Sequence, residues 1–214
     1  LSSSYGVKRF IYLSTLKVLG EYTEGEFAFS FDSKFDPVGS YAVSKFEAEV
    51  GLKELTKNQS LETVIIRPPL VYGPGVKGNF ERLLDIVQWP IPLPFGAIYN
   101  SRSMVSVENL VDLIGTCLWH PNAANSIFLV SDGQDLSTPD LISLIAKTGG
   151  YNIENIKIPL ILLKFAFLCV GKMGLYDRLC RSCVVDFEHT KKQLDWRPGH
   201  NIEDSIGSCW TDSK

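Results

Sequence analysis

The feature that most constrains this chain is a set of short apolar runs that do not alternate. Arg9–Leu13 (RFIYL) and Thr63–Arg67 (TVIIR) put bulky side chains at successive positions, so both faces of each segment need cover. A strand with one face in water would alternate; these read as strands of a parallel sheet with helices on both sides. Ile127–Val130 has the same character. Parallel neighbours need long crossovers, and the intervening sequence supplies helices. From about Gly39, YAVSKFEAEVGLKELTK sets Ala42, Phe46 and Val50 on one face at spacing four. Asn79–Gln88 reads as a second helix. Ser106 can cap a third through His120, with Val107, Leu110, Val111, Ile114 and Leu118 on its apolar face and Pro121 beyond its end. Ser137 or Thr138 with Pro139 and Asp140 starts a fourth, which Gly149–Gly150 stops. The Pro-rich WPIPLPFG excludes regular structure. Strand–helix alternation predicts a doubly wound α/β sheet over residues 1–73 and 106–130, with a smaller lobe from 74–105 and 131–214.

Bulk properties remove several function classes. With 21 basic against 24 acidic residues and a net charge of −3, there is no basic field for a nucleic-acid backbone, so any phosphate must be met by a few placed arginines. Five cysteines are odd in number, and Cys180-x-x-Cys183 has no second pair, which favours reduced thiols in a cytoplasmic protein and no metal site. The apolar stretch 156–170 is too short to span a membrane and is interrupted by Lys157, Pro159 and Lys164. A buried or interface-lying helix is expected there.

Gly73-x-Gly75-x-x-Gly78 matches a dinucleotide fingerprint, but Pro74 lies inside it, a Pro-rich passage follows its helix, and Ile98 stands where an acidic residue is required. It is expected to be a decoy. The helix opened by Asn79 could still offer its N–H groups to an anion; a tight turn with a helix cap is the alternative.

Tyr41 and Lys45 lie four apart on the first helix, hence side by side. A phenol is a poor base near neutrality, and an adjacent ammonium favours the phenolate. Such a pair suits movement of a hydroxyl proton while a hydride leaves the same carbon. Thr15 stands at the C-terminal end of the first strand, where ligands bind in open α/β sheets.

In this context five motifs fall in order across residues 9–198: RFIYLSTLKVLGE, YAVSKFEAE, IIRPPLVYGPG, PFGAIYNSRSMVSVENLVDLI and TKKQLDWRP. Together they resemble the extended short-chain dehydrogenase/reductases, in the NAD-dependent epimerase/dehydratase branch that handles nucleotide sugars. The resemblance implies a Rossmann-like sheet with a substrate lobe, NAD or NADP as cofactor, and a UDP-sugar as substrate, and leaves a homodimer open. It implies that Tyr41 is the acid/base, that Lys45 binds the nicotinamide ribose, and that Thr15 holds the reacting sugar oxygen. Pro68 would meet the nicotinamide through its backbone. Arg102 would pair with the diphosphate, Asn79 would form the loop above it, and Leu93 and Phe95 would line the base pocket. Arg178 and Arg181 are candidates for a further phosphate contact.

Departures from the family pattern narrow the reading. Leu16 and Lys17 replace the Asp-Glu of 4,6-dehydratases, and Leu70 replaces an Asn of many 4-epimerases. A UDP-glucose or UDP-N-acetylhexosamine 4-epimerase is the leading expectation. A 4-keto-sugar reductase and a non-catalytic sugar-nucleotide sensor are the alternatives. The chain opens on Leu1 and carries no glycine-rich cofactor loop, so it is expected to be a piece of a longer protein and to bind no NAD by itself.

Overall fold

The computed structural model describes residues 6–57 and 60–211, so the opening Leu1–Tyr5 lies outside the described residues. Its strands are β1 (Arg9–Leu13), β2 (Glu62–Arg67), β3 (Leu70–Tyr72), β4 (Met104–Ser106) and β5 (Ser126–Leu129). Its helices are α1 (Ser40–Thr56), α2 (Asn79–Ile86), α3 (Val107–Trp119), α4 (Thr138–Gly149), α5 (Leu160–Cys169), α6 (Met173–Cys180), α7 (Glu188–Leu194) and α8 (Ile202–Ser208).

The non-alternating runs form one parallel sheet in the order β1-β2-β5, with Leu13 opposite Ile66 and Ile66 opposite Phe128. β2 is central and is buried from Thr63 to Arg67, which is why it carries no polar face. The fold is the expected parallel α/β arrangement. β3 and β4 make a separate parallel pair that residue pattern did not announce, because three residues are too few to show a period.

Two helices sit rotated from their expected faces. On α1, Ala42 is buried and Phe46 partly so, but Val50 is exposed and Glu49 takes the inward place. On α3 the buried stripe is Leu110, Leu113 and Cys117, while Val111 and Leu118 face out. A polar anchor sets that rotation: Asn109 is fully buried, donates to Asp132 Oδ1 at 2.7 Å and to the His200 carbonyl at 2.9 Å, and accepts from His200 N–H. Ser106 and Ser137 cap α3 and α4 through the N–H groups of Asn109 and Asp140, as expected.

Two apolar cores result. One lies around the sheet, through Val64, Ile66, Leu113 and Phe128. The other runs through Phe80, Ile98, Met104, Ile142 and Ile206. Val185, Phe187, Leu194 and Trp196 pack in the sheet core, so the stretch around them differs from the expected division, which gave all of 131–214 to the lobe. The Trp196 indole donates to Asp112 Oδ2 on α3 at 2.7 Å, which ties this stretch down. No helix among the described residues is long and apolar enough to cross a membrane.

Candidate active site

The ends of β1 and β2 send successive residues to opposite sides. Ser14 and Arg67 turn inward to Glu49. Arg67 Nη2 meets Glu49 Oε2 at 2.6 Å, Arg67 Nε meets Oε1 at 3.1 Å, and Ser14 Oγ donates to Oε1 at 2.5 Å. Both ions are sealed, Glu49 at 0% and Arg67 at 1% exposure. A buried pair needs its remaining lone pairs satisfied to offset desolvation; the serine hydroxyl does this. The next residue of each strand, Thr15 and Pro68, lines a cavity of about 740 Å³. The Leu16 N–H donates to the Pro68 carbonyl at 2.8 Å and locks the two strand ends together.

Tyr41, in the first turn of α1, lines the same cavity and is 56% exposed. Lys45 is one turn on and does not reach the wall. Its Nζ donates to the Leu13 carbonyl at 3.0 Å and stands 4.9 Å from the Tyr12 ring centre, held against the end of β1. Thr15 Oγ1 accepts from Lys17 N–H at 3.4 Å, which aims its side chain at the start of a short 3-10 turn.

Asn79, Phe95, Arg102 and Arg178 line the cavity as well. Arg102 has only backbone company: its Nη1 donates to the Arg181 carbonyl at 2.9 Å, and no carboxylate lies in ion-pair range among the described residues. Burial lowers its pKa, and neighbouring Arg178 adds to the effect. Two cations thus come together without an ion-pair partner among the described residues, which favours an anion between them.

Besides Lys45, two predicted residues are not on the wall. Leu93 is buried behind it, its N–H on the Glu154 carbonyl at 2.8 Å; Phe95 alone of that pair reaches the cavity. Arg181 is instead paired with Asp177 at 3.0 Å and stacked over Tyr22 with 4.0 Å to the ring centre, two residues that themselves line the cavity. Its backbone is extended, just past the end of α6.

The glycine loop is structural. A Cβ on Gly73 would come within 2.5 Å of Val107 Cγ1, and the Glu81 carboxylate holds the Gly78 N–H at 3.1 Å. The helix thereby caps itself where an anion was considered. Asn79 itself still faces the cavity.

Lys17, Trp89, Lys172 and Cys183 also line the cavity and were not foreseen. Lys17 was visible as the residue two after Thr15; the others come from segments without a period pointing at the site. Burial pushes the Cys183 thiol up, with Arg102 and Lys17 opposing the shift. Cys180 and Cys183 form no disulfide.

Residues 1–131 match the model of the NAD dependent epimerase/dehydratase family. A UDP-glucose 4-epimerase of Vibrio cholerae is 46% identical over 202 residues, 94% of this chain and 62% of the relative. An N-acetyl-alpha-D-glucosaminyl-diphospho-ditrans,octacis-undecaprenol 4-epimerase of Escherichia coli O157:H7 is 28% identical over 158 residues, 72% of this chain and 46% of that one. The chain therefore spans between 46% and 62% of the length of these two curated relatives. The structure of UDP-glucose 4-epimerase with UDP-glucose from Thermotoga maritima overlays with TM-score 0.76 at 22% identity, over 99% of this chain and 65% of that one. RMD from Pseudomonas aeruginosa complexed with NADPH overlays with TM-score 0.75 at 21% identity, over 98% of this chain and 68% of that one. At such identities the overlays establish the fold. The strand-end hydroxyl, the Tyr41–Lys45 helix and the family match over more than half of the chain agree: this protein belongs to the NAD-dependent epimerase/dehydratase family.

Proposed function

We propose that this chain carries the substrate-handling part of a nucleotide-sugar 4-epimerase, acting at C4 of a UDP-sugar with NAD or NADP. The observation that supports this is that one cavity is lined by both sets of residues such a substrate would need: Thr15 at the end of β1 and Tyr41 in the first turn of α1, together with Arg102 and Arg178. The 46% identity to a UDP-glucose 4-epimerase supports this substrate class.

The residues present fit the nicotinamide end of the cofactor: Tyr41 and Pro68 share a wall at the strand ends, and Lys45 is fixed behind them. The Gly73–Gly78 loop is no cradle for its pyrophosphate, since Glu81 holds the Gly78 N–H and Val107 packs against Gly73. When bound, the cofactor supplies the acceptor and donor of the C4 hydride. Tyr41 takes the proton of the C4 hydroxyl and returns it when the hydroxyl reforms on the opposite face, so no proton or electron is consumed overall. Thr15 orients the C4 oxygen. Lys45 holds the nicotinamide ribose and sets a positive charge beside Tyr41. Arg102 and Arg178 hold the diphosphate, and Asn79 and Phe95 complete the wall on the nucleotide side. Leu93 acts from behind Phe95, and Arg181 fixes Arg102 through its carbonyl. A cytoplasmic setting accords with the unbridged Cys180 and Cys183. Val43 and Val50, two turns apart and exposed on α1, leave an apolar strip for a second copy.

Kinetics of Tyr41→Phe in the full-length enzyme test this reading. Turnover should fall by about 10²–10⁴, the range of positioned acid–base catalysis, with UDP affinity kept. Turnover within about tenfold of the parent, about 1.4 kcal/mol of barrier, rejects Tyr41 as the proton carrier. The 4-keto reductase reading draws on relatives named dTDP-4-dehydro-6-deoxyglucose reductase and GDP-6-deoxy-D-mannose reductase. It uses the same residues but consumes reduced cofactor each cycle. A non-catalytic sensor would have no use for Tyr41 and Lys45 together.

A further inference from the structure

A helix that is apolar all round normally lies inside a protein; α5 does not. Only Leu163 is buried and Phe167 half-buried, while Ile161, Leu162, Phe165 and Leu168 are exposed, Ile161 at 77%. The apolar surface continues on both sides. Val170 follows α5, and Ile156 precedes it, its N–H on the Leu93 carbonyl at 2.8 Å, which joins it to the loop bearing exposed Trp89 and Ile91.

The charges of this segment have one sign. Between Asn155 and Tyr176 the only charged residues are Lys157, Lys164 and Lys172, in a chain whose net charge is −3. None of the three has a carboxylate in ion-pair range among the described residues. An exposed apolar helix with one lysine within it and one in the flanking segment on each side suits the boundary between lipid headgroups and acyl chains. A second copy seated like-to-like on this face would instead set lysines against lysines. We infer that α5 docks the enzyme on an anionic bilayer surface, lying in the interface without crossing it. The other side of the same helix forms cavity wall through Phe167, with Lys172 just beyond its end, so docking sets the cavity beside the headgroup layer.

Flotation of the full-length protein with vesicles tests this. Vesicles of phosphatidylcholine plus phosphatidylglycerol should carry the protein upward, and vesicles of phosphatidylcholine alone should not. Lys157→Gln with Lys164→Gln should weaken partitioning about 25-fold, about fivefold per lysine. Ile161→Asn with Phe165→Asn should abolish it without changing the thermal melt, because both side chains are already exposed. No flotation with either vesicle overturns the inference, as does equal flotation with both. A concentration-dependent dimer that dissolves in the Ile161→Asn, Phe165→Asn variant, without flotation of the parent, also overturns it and assigns the face to a second copy.

Discussion

Ser14 and Thr15 are chain neighbours, as are Arg67 and Pro68, yet they serve opposite regions of the molecule. Ser14 and Arg67 point into a dry lock on Glu49 that excludes water and admits no ligand. Thr15 and Pro68 point into the cavity, where Tyr41 is more than half exposed and Arg102 waits without a counter-charge. Alternation along a strand thus splits one strand end into a fixed half and a reactive half. The fixed half pairs its charges internally; in the other half Arg102 is left without an ion-pair partner among the described residues. Rigid support directly behind a site is what holds reacting groups in register.

The largest effect expected from breaking this division is on stability. Arg67→Leu strands Glu49 in the core and should cost about 3–5 kcal/mol in urea unfolding, with Glu49→Leu in the same chain recovering much of it. A loss under about 1 kcal/mol from Arg67→Leu alone would show that the lock is ornamental. Next comes the reactive half. Arg102→Ala should leave the unfolding midpoint near the parent value while weakening UDP binding by about 1.5–3 kcal/mol, the scale of a charge-assisted contact. Calorimetric titration with UDP reads this directly, and unchanged affinity would return Arg102 to a structural role.

The smallest effect sharpens the contrast through thiols. Burial pushes the Cys117 thiol, on the sheet side of α3, up to about 12. The folded state therefore keeps its proton while the unfolded chain ionises near pH ~8.5. Stability is unaffected below that value and declines as pH rises from about 8.5 toward 12, because the folded state binds more protons there. Between pH 8 and 10 this amounts to about 1–2 kcal/mol, read as the extra loss of the parent relative to Cys117→Val. Equal losses in both would show that water reaches this part of the core.

What sequence made legible follows the same division. Unbroken apolar runs announced β1, β2 and β5, because covering both faces leaves no polar position to misread. Thr15 and Tyr41 were legible because a strand end and a helix start fix them locally. Glu49 was not, because a buried carboxylate interrupts the apolar period of α1, and its partner Arg67 lies 18 residues away. The rotation of α3 was hidden for the same reason: Asn109 reads as surface until His200, 91 residues on, is seen to bond it. Arg178 and Arg181 look interchangeable in sequence, but Arg178 lines the cavity while Arg181, past the end of α6, is engaged by Asp177 and Tyr22. Cys183 and Lys172 reach the wall through tertiary packing that no local period encodes.

The central claim is that Tyr41 returns the proton to the C4 oxygen it left, while a bound cofactor would return the hydride to C4. Incubation of the full-length enzyme with UDP-glucose deuterated at C4, with unlabelled reduced cofactor in solution, tests it most directly. The expected result is interconversion with the C4-epimer, deuterium retained at C4 of both sugars, and no net consumption of cofactor. Deuterium lost to free cofactor, or stoichiometric cofactor turnover with a 4-keto sugar, would contradict the epimerase and assign the same residues to a reductase.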